Sequence, residues 1–240
     1  MDPHMRSVKE ITKLEKTSLS DFKLHIDCLC RRWRHVWKCE KELTGMGRLY
    51  VFMGKSAAGK DTLYHQVLER FPALLPVTPY TTRPVRAGEE EGKEYHFVTE
   101  EWFREREREG RIVEYRRYET VKGPWYYFTA DDGQIDLSQG DYCLISTLEG
   151  YQKIRSFYGA DRVVPLYIHV PDMVRIQRSL AREGQQQHPC VAEVCRRYLA
   201  DEEDFSQENL DRAGITEIII NEDRELALVK IREIMKRGQH

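Results

Sequence analysis

Apolar runs alternate with amphipathic segments along most of this chain. The clearest run, residues 49–53, reads Leu-Tyr-Val-Phe-Met and is bounded by glycines, which is typical of a strand buried on both faces of a parallel sheet. Residues 60–71 then place apolar side chains on one helical face and end before Pro72, which does not extend a helix. The pattern therefore predicts a strand that turns directly into a helix.

The alternation continues to the C-terminus and predicts an α/β fold with a parallel sheet covered by helices on both sides. Further strands are predicted at residues 77–80, 142–147, 163–170 and 215–220. Further helices are predicted at residues 149–157, 171–182, 191–203 and 222–236. Between residues 95 and 129, Tyr, Val, Ile and Phe alternate with charged residues, which indicates a small β-rich insertion.

A glycine-rich segment joins the first predicted strand to the first predicted helix. It reads G-K-S-A-A-G-K-D-T and matches the phosphate-loop pattern G-x-x-x-x-G-K. Its backbone N–H groups and the positive end of the helix can cradle phosphate oxygens, with Lys60 placed for the β and γ phosphates. A glycine-rich turn without a ligand is the alternative. The residues expected to contact a nucleoside triphosphate are Gly54, Lys55, Ser56, Ala57, Ala58, Gly59, Lys60, Asp61 and Thr62.

Composition limits the partners of the chain. The 240 residues have a formal net charge of -2, which does not favour bulk electrostatic binding to nucleic acid or membrane. No apolar stretch is long enough to span a bilayer, and six cysteines without a signal peptide favour reduced thiols in a cytoplasmic protein. The charged run 104–109 alternates in sign, as expected of a solvated helix face. Nothing in these patterns indicates an oligomeric state.

Residues 1–45 differ from the rest of the chain and are interpreted as an N-terminal extension of uncertain status. Their cysteines and histidines are elements of a zinc site, but the C-x-C spacing lacks a second pair, so no site is assigned there. A helical appendage with incidental thiols is favoured, and an upstream translation artefact is also open. Residues 46–236 are expected to form the functional domain.

A second anion site is predicted in residues 80–97, which read YTTRPVRAGEEEGKEYHF. Arg83 and Arg86 are three residues apart in a loop with proline and glycine, where two guanidinium groups can hold one phosphate. Tyr95 adds a hydroxyl donor. Taken alone, two such arginines would more often be solvated surface residues. In a chain that also has a phosphate loop, they indicate a binding site for the molecule that accepts the phosphoryl group.

These motifs together resemble the guanylate kinases, a family of P-loop nucleoside monophosphate kinases. The run T-T-R-x-x-R-x-G-E-x-x-G-x-E-Y-x-F carries most of the resemblance, which covers about four fifths of the chain. It implies a P-loop NTPase fold, three-layer α/β/α, with an inserted NMP-binding lobe at about residues 80–130 and a helical LID at about 182–197. It also implies the reaction ATP + GMP = ADP + GDP with Mg²⁺.

The resemblance assigns roles to individual positions. It implies that Arg83, Arg86 and Tyr95 grip the GMP phosphate and that Tyr127 also contacts it. Glu114 matches the carboxylate that accepts from guanine, and Thr129 the hydroxyl that contacts the base. A carboxylate favours guanine because adenine lacks the paired N–H donors.

The LID positions are carried over in the same way. Arg182 and Arg197 match arginines that close over the transferring phosphoryl group, although Arg178 and Arg196 are alternatives. Asn221 matches a position near the ATP base, with a turn or helix-cap role equally open.

Four positions depart from the family pattern. Ser146 and Leu148 stand where aspartates are expected, and Pro79 replaces a serine near the acceptor phosphate. Asp61 stands where the phosphate loop usually has Ser or Thr. We expect Asp61, with Thr62, to help hold Mg²⁺, because one carboxylate is gained and another lost around the same predicted metal site.

The predicted function is transfer of the γ-phosphoryl group of MgATP to GMP. One alternative keeps the fold but changes the phosphorylated acceptor, because the departures fall near the acceptor. Another is a noncatalytic guanylate-kinase-like binding module, against which Lys60 and the complete loop argue.

Overall fold

The computed structural model describes residues 47–86, 88–120, 123–187 and 189–237. The interpretation of residues 1–45 as an extension with an unassigned cysteine and histidine set lies outside these residues. Within them the strands are β1 (Leu49–Met53), β2 (Leu74–Pro76), β3 (Tyr80–Thr81), β4 (His96–Phe97), β5 (Ile112–Thr120), β6 (Gly123–Ala130), β7 (Asp141–Ile145), β8 (Val163–His169) and β9 (Ile218–Ile220). The helices are α1 (Lys60–Arg70), α2 (Glu100–Arg108), α3 (Leu148–Tyr158), α4 (Asp172–Glu183), α5 (Val191–Asp204), α6 (Gln207–Arg212) and α7 (Arg224–Arg237).

The central sheet is parallel and has the order β2-β7-β1-β8-β9. All five residues of β1 are buried, as its continuous apolar run predicts. On one face Phe52 packs edge-on against Tyr64 of α1, and on the other Leu49 shares a core with Ile154 of α3. The chain thus forms three layers, and the carboxyl ends of β1, β7 and β8 meet at one edge, where open α/β sheets bind their ligands.

A smaller sheet of order β4-β3-β6-β5 forms the insertion. It has an aromatic core of its own, in which the rings of Phe103 and Tyr126 stack with centroids 4.2 Å apart. Helix α2 contributes Phe103 to this core, while Arg104 and Arg106 on its outer face pair with glutamates of the same helix. The prediction of a solvated charged helix face is confirmed.

The structure corrects several predicted elements. The strand predicted at residues 77–80 is wrong: β2 ends at Pro76, β3 begins at Tyr80, and residues 77–79 cross between the two sheets. Val77 still donates to the central sheet, at the Cys143 carbonyl, but Pro79 has no N–H with which to continue that ladder. The last strand is limited to residues 218–220, and the short helix α6 was not predicted. The other helices and strands for which bounds were predicted begin and end within two residues of those bounds. No helix in the described part of the chain is long and apolar enough to cross a membrane.

Candidate functional site

The phosphate loop leaves β1 in a conformation that two glycines make possible. Gly54 has φ +156°, and a Cβ there would lie 2.3 Å from the Ile168 carbonyl oxygen. Gly59 has φ +85°, and a Cβ there would lie 2.5 Å from Nδ2 of Asn221. Both glycines are therefore required sterically, and between them Ala57 also adopts a positive φ of 60°.

Asn221 holds this loop against the central sheet. Its Nδ2 donates to the Ala58 carbonyl at 2.8 Å, and its backbone N–H donates to the His169 carbonyl at 2.8 Å. The alternative of a helix-cap role for Asn221 is excluded, because Asp223 accepts from the Leu226 N–H at the start of α7. Buried Asn221 thus fixes the shape of the loop.

The first turn of α1 presents the three remaining loop positions to solvent. Lys60 is half-buried, and Asp61 and Thr62 are exposed. Carboxylate and hydroxyl oxygens are hard donors of the kind that Mg²⁺ prefers, so the two residues fit this ion chemically. Across the described ranges no group of three or more His, Cys, Asp or Glu side chains is arranged to hold a metal. A magnesium ion here would thus need phosphate and water oxygens for most of its ligands.

Two carboxylates of α5 contact the beginning of the loop. The Ser56 N–H donates to Oδ2 of Asp201 at 2.8 Å, and Lys55 Nζ pairs with Oε1 of Glu202 at 2.7 Å. Lys55 was predicted to contact nucleotide, but in this conformation its ammonium group is paired with the protein. Arg175, only 2% exposed, donates to both carboxylates.

The predicted acceptor-phosphate residues converge in the insertion lobe. Arg83 lies beside the rings of Tyr95 and Tyr127, with its guanidinium carbon 5.1 and 6.0 Å from their centroids. The two rings contact each other edge-on at 5.6 Å. Burial raises the pKa of Tyr95, so its phenol stays protonated and available as a donor.

Arg83 has an internal anionic partner that was not predicted. Its Nη1 and Nη2 donate to the two carboxylate oxygens of Glu89 at 2.7 and 2.6 Å. Glu89 also accepts from the Arg86 backbone N–H at 2.9 Å, and these bonds lower the pKa of Glu89 to about 2. The Arg86 side chain is exposed. Both Nη groups of Arg83 are therefore already paired with a carboxylate of its own loop.

Glu114 lies in a pocket between β5, β6 and α3. A β-bulge between residues 112 and 114 breaks the alternation of the strand, and Val113 and Glu114 are both buried. The Thr129 hydroxyl donates to Glu114 Oε1 at 3.0 Å, whereas the buried Oε2 has no hydrogen-bond partner among the described residues. Burial raises the pKa of Glu114. The pocket thus presents an acceptor oxygen that still needs a donor.

Ser146 completes the same pocket from the end of β7. Its buried Oγ also lacks a hydrogen-bond partner within the described residues. A Cβ on Gly150 would lie 2.2 Å from this Oγ and 3.2 Å from Glu114 Oε2, so both oxygens lie next to Gly150 and a side chain there would clash with the Ser146 hydroxyl. Leu148, by contrast, packs in the hydrophobic core and does not substitute for a polar pocket residue. Pro79 accepts from the His96 N–H at 2.9 Å through its carbonyl.

The predicted LID consists of the end of α4, a connection and the start of α5. Arg182 and Arg197 line a small cleft with Ser56 of the phosphate loop. Arg196 and Arg197 both pair with Glu193, which lowers the pKa of that carboxyl to about 2. Arg178 donates to the Asn221 carbonyl at 3.5 Å.

Sequence reasoning missed several residues of this region. Glu89 stands within the motif that drew attention to Arg83, so an acidic partner for a buried arginine was a signal available in the sequence. Arg175, Asp201 and Glu202 gave no such signal, because the acidic run at the end of α5 resembles a solvated helix face.

Comparisons with known proteins agree with this architecture. Residues 46–238 match the family model described as guanylate kinase. The chain is 29% identical over 193 residues to a guanylate kinase of Salinibacter ruber, with 78% of this chain and 96% of the relative covered. It is 43% identical over 149 residues to a guanylate kinase of Chlorobium luteolum, with 61% of this chain and 74% of the relative covered.

A solved structure shows the same fold. The crystal structure of guanylate kinase from Anaplasma phagocytophilum superposes with a TM-score of 0.54 at 23% identity, covering 81% of this chain and 87% of that one. Because the family model spans most of the chain, including the phosphate loop and the acceptor lobe, this chain belongs to the guanylate kinase family.

Proposed function

We propose that this chain transfers the γ-phosphoryl group of ATP to GMP and forms ADP and GDP. The observation that carries the proposal is the pocket around Glu114, where a buried carboxylate oxygen has no donor among the described residues. Guanine offers N1–H and an exocyclic amine as adjacent donors, while adenine offers an acceptor at N1. Binding guanine would satisfy Glu114 Oε2, and binding adenine would leave it unsatisfied.

The acceptor phosphate is assigned to the group around Arg83. Its planar guanidinium, flanked by Tyr95 and Tyr127, suits a dianionic phosphate. Arg86 adds a second, exposed cation from the same loop. This phosphate is itself the nucleophile, so no strong general base is required.

The donor is assigned to the phosphate loop. Lys60 and the loop N–H groups would hold the β and γ phosphates, and Arg182 and Arg197 would offset the charge that develops during in-line transfer. Closure of the LID over the loop would also exclude water, which competes as a phosphoryl acceptor. Asp61 and Thr62 would help to hold Mg²⁺, which supplies charge neutralisation on the donor phosphates when bound.

A cytoplasmic location is part of the proposal. Cys143, Cys190 and Cys195 are free thiols in the structure, which suits a reducing compartment.

Turnover with a panel of monophosphates tests the proposal. ADP release is measured with ATP and each of GMP, dGMP, AMP, UMP and CMP, and GMP is expected to give the highest kcat/KM. Preference for AMP would contradict the role given to Glu114. Detectable GMP binding without turnover of any monophosphate would instead identify a noncatalytic binding module.

A further inference from the structure

A backbone donor of the phosphate loop is already occupied by a carboxylate of the protein. The Ser56 N–H donates to Asp201 Oδ2 at 2.8 Å, and the Asp201 side chain is only 15% exposed. Backbone N–H groups are the donors with which a phosphate loop binds nucleotide phosphates. Asp201 therefore uses a donor that a phosphate oxygen would otherwise use.

Asp201 is held at the loop by a buried arginine. Arg175 Nη1 donates to the same Asp201 oxygen at 3.0 Å, and the guanidinium stacks on the ring of Tyr198 at 4.3 Å. Its Nη2 donates to Asp172 and to Glu202, and Glu202 in turn pairs with Lys55. Helix α5 is thus joined to the loop through two consecutive carboxylates.

The charges of this cluster do not balance. Two cations, Lys55 and Arg175, face three carboxylates, those of Asp172, Asp201 and Glu202. A triphosphate that approaches the loop while Asp201 remains in place would add more negative charge beside a cluster that already holds more carboxylates than cations. Replacing Asp201 by a phosphate oxygen removes one of these charges from the loop and leaves both cations near the ligand.

We propose that Asp201 is an internal competitor of the donor nucleotide: its carboxylate occupies the Ser56 N–H in the free protein, and ATP displaces it. Asp201 thereby sets the donor affinity, and its release removes one of the two carboxylate contacts that join α5 to the loop. The inference rests on the proposed use of ATP as donor but not on the identity of the acceptor.

A purely structural cluster makes the opposite prediction. If Asp201 served to shape the loop for ATP, removing its charge would weaken donor binding or leave it unchanged. If Asp201 competes with ATP, removing its charge tightens donor binding. Because Asp172 and Glu202 still face Arg175 in an Asp201→Asn variant, the buried guanidinium keeps anionic partners.

Calorimetric titration of the full chain with ATP, in the absence of any monophosphate, separates the two roles. We expect Asp201→Asn to lower the Kd for ATP about threefold to tenfold, because a neutral amide oxygen is a weaker competing acceptor for the Ser56 N–H than a carboxylate. The matched control is Glu203→Gln, which neutralises an exposed carboxylate on the same helix and should leave the Kd unchanged. An unchanged or higher Kd in Asp201→Asn overturns the proposal, and so does equal tightening in both variants.

The wild-type chain provides a test that does not depend on folding of the variant. In a structure with a nonhydrolysable ATP analogue bound, Asp201 is expected beyond hydrogen-bond distance of the Ser56 N–H. Retention of the 2.8 Å contact with the analogue in the loop overturns the proposal. If the chain binds ATP but phosphorylates no monophosphate, the proposed function is contradicted, but the ATP titration and the structure with the analogue still test the role of Asp201.

Discussion

The Thr129 hydroxyl donates to one carboxylate oxygen of Glu114 at 3.0 Å and leaves the other oxygen without a donor among the described residues. This asymmetry predicts that Glu114→Gln raises the KM for GMP about 10- to 100-fold, because an amide replaces a charged acceptor of the guanine N–H groups. Steady-state kinetics with GMP and AMP measure the effect. An unchanged preference for GMP over AMP would contradict the assignment.

The same substitution should stabilise the protein at neutral pH. Burial raises the pKa of Glu114, so the folded state binds a proton more tightly than the unfolded state, and folding stability falls as pH rises through the interval between the ordinary and the raised pKa. We expect Glu114→Gln to gain about 1 kcal/mol at pH 7 and to lose that gain below the ordinary carboxyl pKa of about 4.3. Urea unfolding at several pH values measures it, and a gain independent of pH would contradict the stated cause.

Gly150 makes room for the Ser146 hydroxyl beside Glu114. A Cβ at this position lies 2.2 Å from Ser146 Oγ, so Gly150→Ala should destabilise the protein by about 1–3 kcal/mol and raise the KM for GMP. For stability, the control is Gly184→Ala, where a Cβ meets atoms no closer than 3.5 Å. Adding Ser146→Ala to Gly150→Ala removes the clashing oxygen and should restore part of the stability. A tolerated Gly150→Ala with unchanged KM would exclude the pocket as the guanine site.

Arg83 is held by paired hydrogen bonds to Glu89, and the proposal assigns the same planar guanidinium to the acceptor phosphate. We expect Arg83→Lys to lower kcat/KM for GMP about 10- to 100-fold with a smaller effect on the KM for ATP. Lysine keeps the positive charge but lacks the paired, planar N–H donors of the guanidinium group. Arg117→Lys, at an exposed position of β5, is the matched control. Equal losses for both substrates would indicate a general structural defect.

Asn221 contributes to loop shape through its bond to the Ala58 carbonyl. Asn221→Ala should cost about 1–3 kcal/mol of folding stability, because it leaves a buried acceptor unsatisfied, and should raise the KM for ATP more than the KM for GMP. Thermal unfolding and two-substrate kinetics measure these effects. A selective change in the KM for GMP would contradict this role.

Asp61→Asn tests the proposed role of Asp61 in holding Mg²⁺. The Mg²⁺ concentration for half-maximal turnover is expected to rise about threefold to tenfold, since a neutral amide is a weaker ligand than a carboxylate. Glu69→Gln neutralises another exposed carboxylate of α1 and serves as the control. If magnesium dependence and turnover stay unchanged in Asp61→Asn, the proposed role is abandoned.

The sequence predicted the elements whose signal is local. β1 is recognisable because a strand buried on both faces has a continuous apolar run, and α1 because its apolar residues recur at helical spacing. The crossing at residues 77–79 was mistaken for a strand because the position of a segment between two sheets depends on distant partners. Val77, for example, donates to the carbonyl of Cys143.

The residues of the candidate site also fall into those with a local sequence signal and those that depend on distant partners. The phosphate loop and the loop with Arg83 are contiguous motifs, whereas the contact between Ser56 and Asp201 joins residues 145 positions apart. No local pattern marks such a pair. The bulge that buries Glu114 beside Val113 likewise depends on pairing with β6.

The proposed acceptor site has two separate parts. Glu114 stands next to Val113 of the central core, whereas Arg83 lies beside the ring of Tyr127 on β6 of the smaller sheet. Guanosine or inorganic phosphate alone would contact one of these two parts, and GMP would contact both. Once one half of GMP has bound, the other half is held near its own part of the site at a high effective concentration. The affinity for GMP should therefore far exceed the affinities for guanosine and for phosphate measured separately.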